Sequence, residues 1–344
     1  VQLADAQQLW HAEGVYCNTA SFGLPPDPAW EAMQAALGDW RVGRTSWERW
    51  GDATNTARAL FARLVGASAE RVAIGGTISE LVGVLATALP AGTRVVVPDV
   101  EFTSTLFPLL VQERLDVVTV PVAQVADAVA DGAGAVAFSA VQMSTGEVAD
   151  LDAIADAAAA AGAITIVDAT QACGWLPLDA TRFDAVLATA YKWLCSPRGS
   201  AFATVSDRLL ERTVPHAAGW FAGEDVHGSY FGPPLRLARS ARRLDVSPAW
   251  FSWVATAPAL EVLLDVGVDA IHAHNVGLAN RMRAALDLAP SNSAIVSAQL
   301  PGAMERLSAA GIVAAERGGR LRTSWHLYNT VADVDALLDV VFSD

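Results

Sequence analysis

The sequence predicts an α/β protein: a mostly parallel central sheet sandwiched by helices, with a smaller C-terminal α+β domain. Two observations carry this expectation. From about residue 70, short β-branched runs alternate with helical stretches, the pattern of parallel strands joined by crossover helices. The runs are also continuously apolar rather than alternating, as expected when both faces of a sheet are covered. At 344 residues and 53% hydrophobic content, the chain can bury a core of that size together with a second, smaller one.

Taken in order, a strand is expected over residues 71–74 and a helix over 79–88, then a strand at 94–97 and a helix at 105–112. The pairs 116–120 with 124–130 and 135–139 with 151–161 continue the alternation. Strands at 164–167, 185–188 and 200–205 complete it. Right-handed crossovers place the strand C-termini on one edge, where open α/β sheets bind ligands. The pattern breaks over residues 219–234, a Gly- and Pro-rich stretch carrying Trp220, Phe221, Tyr230 and Phe231. A loop that long inside a compact domain is usually functional. Helices are expected at 249–265 and 270–286. The tail then alternates strand, helix, strand and helix over 293–299, 303–310, 321–324 and 331–341. The domain expectation is an arm over 1–18 packing on the small domain, a large ligand-binding domain over 19–245 and a small domain over 246–344.

A net charge of −14 argues against a nucleic-acid partner, because a phosphate-tracking face needs clustered cations. The densest basic stretch, 236–243, holds only Arg236, Arg239, Arg242 and Arg243. No run of about 18 uncharged apolar residues is present, so no membrane span is expected. The first residues, Val1 to Asp5, show neither a basic n-region nor an apolar h-region. Cys17, Cys173 and Cys195 form neither a CxxC pair nor a disulfide framework. A cytoplasmic location is the expectation.

The chemistry concentrates in three places. The β-branched run Ile164-Thr165-Ile166-Val167 ends in Asp168, with Gln171 three residues on. Lys192 follows, between Tyr191 and Trp193. Asp168 at a strand end could simply cap the next loop, and a lysine beside a tryptophan is ordinarily a snorkelling surface residue. Together they are the minimum equipment for pyridoxal 5′-phosphate (PLP). A carboxylate would hold the pyridinium N–H, Gln171 would meet the phenolic oxygen, and a lysine would form the Schiff base. Upstream, Gly75-Gly76-Thr77 follows a strand and opens a helix. That arrangement suits either an anion at backbone N–H groups or an ordinary hydroxyl N-cap.

The order GGTxS, VDxxQ, TAYKW, SPRG and RTSWHLYNT resembles the class V aminotransferase family of fold-type I PLP enzymes over nearly the whole chain. The resemblance implies a fold-type I PLP transferase. In it Lys192 is the Schiff-base lysine, Asp168 the partner of the pyridine nitrogen, and Gln171, beside Thr170, the ligand of the phenolic oxygen. Gly76, Thr77 and Thr189 become phosphate ligands, and Phe102 takes the position that stacks on the ring, where many relatives carry histidine. Arg322 matches the arginine that clamps a substrate's α-carboxylate, a task suited to a bidentate guanidinium. Ser247 matches a phosphate donor reaching across a homodimer with a shared active site.

Three departures shape the expected reaction. No cysteine follows Cys195, so the mobile nucleophile of cysteine desulfurases is missing. Met143 stands where several relatives carry a carboxylate-contacting asparagine, with Gln142 beside it as a substitute. Gly219-Trp220-Phe221 resembles a kynureninase-like aromatic loop, and Trp220 and Trp250, with Trp175, Tyr191 and Trp325, are expected to build an aromatic substrate cleft. The expected activity is β-elimination from a cysteine S-conjugate, a C–S lyase acting on a small amino acid. Class V transamination, epimerisation and kynureninase-like hydrolysis are the alternatives. A PLP-fold protein without catalysis is the alternative of another class.

Overall fold

A computed structural model describes residues 2–343. The chain begins with helices α1 (Leu3–Gln7), α2 (Asp27–Arg41) and α3 (Trp47–Leu64). An alternating run follows: β1 (Val72–Gly75), α4 (Ile78–Leu85), β2 (Arg94–Pro98), α5 (Thr103–Leu110), β3 (Asp116–Val120), α6 (Val125–Ala130), β4 (Ala135–Ser139), α7 (Leu151–Ala161) and β5 (Ile164–Asp168). Next come β6 (Ala185–Thr189), β7 (Ala201–Val205) and the short α8 (Asp207–Leu210). The remainder comprises α9 (Trp250–Val266), α10 (Val268–Ala285), β8 (Ile295–Ala298), α11 (Ala303–Ala309), β9 (Ala315–Arg317), β10 (Arg320–Ser324) and α12 (Val331–Phe342).

Strands β1 to β7 form one sheet in the order β1-β7-β6-β5-β4-β2-β3. The pairs β3/β2, β2/β4, β4/β5 and β5/β6 are parallel. The pairs β6/β7 and β7/β1 are antiparallel. The mostly parallel sheet is thus as expected, with one reversed strand near the β1 edge. Alternate side chains supply two separate cores. Ile74, Val136, Phe138, Val167 and Phe202 face Phe61 of α3 and Leu260 of α9. Val95, Ala137, Ile166, Leu187 and Ala203 face Leu81 and Leu85 of α4 and Leu109 of α5. This double burial is why the strand runs read as continuously apolar.

Helix α7 spans the expected 151–161 because Asp150 caps its first turn by accepting from Ala153 N–H, and Gly162 closes it at φ +68°. Residues 219–234 contain short 3₁₀ turns at Trp220–Ala222 and His227–Ser229 and a single bridge from Gly223 to Leu237.

The small unit is an antiparallel sheet β8-β10-β9 covered by α10, α11 and α12. The packing does not change at residue 246. Helix α9 sends Trp253, Leu260 and Leu263 into the large core, and the chain turns toward the small unit at Gly267, φ +88°. The N-terminal segment serves both units: Trp10 enters the large core. Cys17 lies in the small core, and Tyr16 and Asn18 bridge to Val313 and Ser324. Among the described residues no helix is long and apolar enough to cross a membrane.

Candidate active site

The sheet register brings the chemistry to one edge. Ser139 of β4 pairs with Asp168 of β5, and Thr189 of β6 and Gly75 of β1 both pair with Ala201 of β7. The ends of β1, β4, β5 and β6 therefore open on a common pocket. Its lining includes Gly76, Thr77, Phe102, Asp168, Thr170, Gln171, Thr189 and Lys192, all of them singled out from the sequence. Ile78, Ser104, Ser139, Met143, Tyr191 and Arg198 complete it. Met143 and Tyr191 were already marked in the sequence; of the others, Ser139 had a usable signal, since it ends a buried strand beside the strand of Asp168.

Lys192 is 6% exposed, with its Nζ 5.6 Å from the ring centroids of both Phe102 and Tyr191. Burial pulls its ammonium down to about 8, against the opposing pull of Asp168. Arg322, Arg317 and Arg198 lower it further. Lys192 is also the only lysine in the chain, the other 22 of its 23 Lys and Arg being arginine, a signal that local motifs do not carry. Only an unprotonated amine captures an aldehyde. Uptake of PLP by the apo chain should therefore rise about tenfold per pH unit below about 8 and level off above it. Stopped-flow absorbance measures this, and an inflection near that of an ordinary lysine would contradict the burial argument.

Around the lysine, each polar group is held. Asp168 Oδ1 accepts from Thr170 N–H at 2.8 Å, and Oδ2 accepts from Thr105 Oγ1 at 3.2 Å. Thr170 Oγ1 in turn accepts from Thr189 N–H at 3.2 Å, tying the ends of β5 and β6. Gln171 has its amide orientation determined by partners of one kind each. The donor-only Trp193 Nε1 reaches its Oε1 at 2.7 Å, and its Nε2 donates to Ala20 O at 2.9 Å. One amide N–H remains unassigned on a residue that lines the pocket. Gly23 packs so closely beneath the lysine loop that a Cβ there would lie 1.9 Å from Lys192 O.

Thr189 Oγ1 is buried without a hydrogen-bond partner, an orphan hydroxyl that an anion acceptor would satisfy. The Gly76 N–H donates to Glu80 Oε2 at 2.8 Å, and Thr77 Oγ1 caps α4 by accepting from Glu80 N–H at 3.3 Å. The hydroxyl N-cap is therefore the reading the structure displays, with the Gly76 N–H engaged by Glu80. A capped helix start also lines the pocket.

Arg322 is fully buried on β10 and does not line the pocket directly. Its Nη1 donates to Met143 O at 3.0 Å and meets Met143 Sδ at 2.9 Å. Its Nη2 donates to Asn18 Oδ1 at 3.3 Å and Ser21 Oγ at 2.6 Å. Nε has no partner, and burial with the nearby Arg317 lowers the guanidinium to about 10. Met143, at the position expected to carry an asparagine, thus stands between Arg322 and the pocket. Gln142 instead turns to Glu101, donating from Nε2 to Oε2 at 3.3 Å. Glu101 also accepts from Ser139 N–H at 2.7 Å and from its hydroxyl. Burial, with Asp168 nearby, raises its carboxyl.

Ser247, Trp220 and Trp250 do not join this pocket. Ser247 is exposed. Trp220 and Trp250 cluster with Trp47 of α3, at ring-centroid distances of 5.0 and 6.1 Å. Trp175 stacks on His272 and Trp325 is buried in the small core. The expected aromatic cleft is not assembled within one chain, because α3 offers these rings a packing partner that sequence spacing does not reveal.

The fold agrees with known proteins. The model of the aminotransferase class-V family matches residues 36–305. The chain belongs to the class V aminotransferase family. It is similar to an uncharacterized aminotransferase of Bacillus subtilis, 28% identical over 92% of this chain and 90% of that protein. It is also similar to the isopenicillin N epimerase of Streptomyces clavuligerus, 27% identical over 83% of each. The fold matches the solved structure of a cystine C–S lyase in complex with its reaction product cysteine persulfide. The TM-score is 0.84 at 19% identity, covering 96% of this chain and 97% of that one. This class V protein is a PLP-dependent enzyme, and the orphan Thr189 hydroxyl, the buried Lys192 amine and the free Gln171 N–H fit that cofactor.

Proposed function

We propose that this class V enzyme is a C–S β-lyase, converting a cysteine S-conjugate and water to a thiol, pyruvate and ammonia. The observation that carries this reading is a pocket built around one depressed lysine with no thiol beside it. Cys17, Cys173 and Cys195 are buried outside the lining, and burial pushes each thiol up, that of Cys173 to about 12. A persulfide relay on a mobile cysteine therefore has no candidate among them. The apolar lining of Ile78, Phe102, Met143 and Tyr191 suits a thioether side chain. The C–S lyase of similar fold supports the choice by analogy only.

PLP, when bound, supplies an aldehyde for amino groups and a ring that draws negative charge from Cα. The roles assigned to this chain are then specific. Lys192 would anchor the cofactor, and its amine would be the group positioned to move the proton at Cα. Asp168, held by Thr170 and Thr105, keeps a proton on the ring nitrogen. Gln171 donates its remaining N–H to the phenolic oxygen, and Phe102 covers the ring. Gly76, Thr77 and Thr189 face the phosphate, and Ser247 does so from a second copy in a homodimer. Arg322 orients the α-carboxylate, which must displace Met143 or the Asn18 and Ser21 contacts to reach it.

Steady release of pyruvate and thiol from S-ethyl-L-cysteine is the expected result. Conversion of the bound cofactor to pyridoxamine phosphate without pyruvate would instead establish transamination. Replacing all three cysteines by alanine should leave the pyruvate rate within about twofold, because none touches the reacting atoms. A loss of tenfold or more in a variant that keeps its melting temperature would sink the thiol-independent reading.

A further inference from the structure

We propose that the substrate carries a second anionic group besides its α-carboxylate, and that Arg317 receives it. The inference rests on the PLP-dependent amino-acid reading and deepens it to a substrate class, cysteine S-conjugates whose thioether side chain ends in an acid.

The register of the small sheet pairs Arg322 with Ala315 and Arg320 with Arg317. Arg317 and Arg322 are therefore diagonal neighbours on one face of it. A single hydroxyl lies between them: Ser21 Oγ accepts from Arg322 Nη2 at 2.6 Å and from Arg317 Nη2 at 3.3 Å. The other acceptors are also uncharged. Arg322 has Met143 and Asn18, and Arg317 has its neighbour's carbonyl, Glu316 O, at 2.7 Å. Arg198 stands nearby at the pocket lining, its guanidinium 5.1 Å over the Tyr191 ring.

Among the described residues, none of these three arginines forms an ion pair. The chain is not short of acids, with 37 Asp and Glu against 23 Lys and Arg. Two guanidiniums sharing one neutral oxygen repel each other, and a carboxylate on each would remove that repulsion while making charge-assisted hydrogen bonds. The positive field also reaches Lys192, whose ammonium all three arginines disfavour. One α-carboxylate satisfies Arg322 and leaves Arg317 unmatched. Arg317 is half-buried where Arg322 is fully buried. The group that meets Arg317 therefore lies nearer to solvent, as the distal end of a side chain would.

Glutarate and butyrate test this without turnover, since neither carries an amine. Titrated calorimetrically into the PLP-loaded enzyme, glutarate should bind at least about tenfold tighter than butyrate, the worth of one added charge-assisted contact. In Arg317→Ala that preference should vanish with butyrate affinity unchanged, and Arg317→Lys should restore part of it. In Arg322→Ala both acids should weaken. Equal binding of the two acids by the native enzyme would overturn the proposal. So would an Arg317→Ala variant that weakens both by the same factor, which would make Arg317 a second clamp on the α-carboxylate. If neither acid binds while the cofactor's visible absorbance persists, the second-anion inference fails and the cofactor reading stands. Loss of that absorbance in the native protein would instead remove the reading beneath it.

Discussion

Lys192→Ala is expected to lose turnover by roughly 10²–10⁴-fold or more, the range for removing a positioned general base, and to lose every covalent link to PLP. The native holoenzyme should show an absorbance band of about 410–430 nm, which is missing in the variant. The chain makes this test unusually clean. Lys192 is its sole lysine, so borohydride reduction of the native protein should fix one cofactor mass on the peptide containing Tyr191-Lys192-Trp193. The variant has no other side-chain amine to substitute. The remaining cradle of Asp168, Gln171 and Thr189 is held by its own hydrogen bonds, so noncovalent PLP binding should survive. Full activity in the variant, or label retained after reduction, would refute the role given to Lys192.

That lysine also shows where the sequence speaks and where it falls silent. Asp168, Gln171 and Lys192 were legible because strand ends and their following turns are local features, and strand order carries them to one edge. The strands β3 and β4 and helix α7 fell on their expected bounds, since a β-branched run marks β3, a short apolar run after Gly134 marks β4, and an Asp cap marks α7. Helices α2 and α3 were not anticipated. Their inner faces become apparent only against α9, whose Trp253 and Leu260 join α3 in the large core and whose Ala255 and Ala259 pack against Ala29 of α2. The reversal of β7 was equally hidden, because a fully buried strand reads the same in either direction. At the site, Ser21 and Arg317 were invisible for a related reason. Each lies far in sequence from Lys192, and their meaning comes from one shared hydroxyl. The tryptophans failed in the opposite sense: spacing suggested a cleft, and packing against Trp47 drew Trp220 and Trp250 elsewhere.

Arg58→Met should cost about 3–5 kcal/mol of stability, the range for stranding one member of a buried ion pair. Arg58 of α3 is nearly inaccessible. Its Nη2 lies 2.6 Å from Asp245 Oδ2, which is wholly buried, and its Nη1 donates to Val72 O. Asp245 Oδ1 accepts in turn from Ile74 N–H at 2.9 Å. The pair therefore fastens Val72 and Ile74 of strand β1, which leads to Gly76 and Thr77 in the pocket, to the segment that leads into Ser247. Burial raises the Asp245 carboxyl above its ordinary value even with Arg58 beside it, and removing Arg58 should raise it further. A carboxyl raised in the folded state binds more protons there than in the unfolded chain. Its stabilising contribution is present at low pH and is lost as pH rises through the folded-state value. The Arg58→Met deficit should accordingly be smallest in mild acid and grow toward pH 8, measured by urea denaturation at both. Arg58→Met combined with Asp245→Leu should recover most of it, because no charge is then left buried alone. A loss below about 1 kcal/mol would mean that water reaches Asp245. A deficit that shrinks as pH rises would mean that the carboxyl is not the group left stranded.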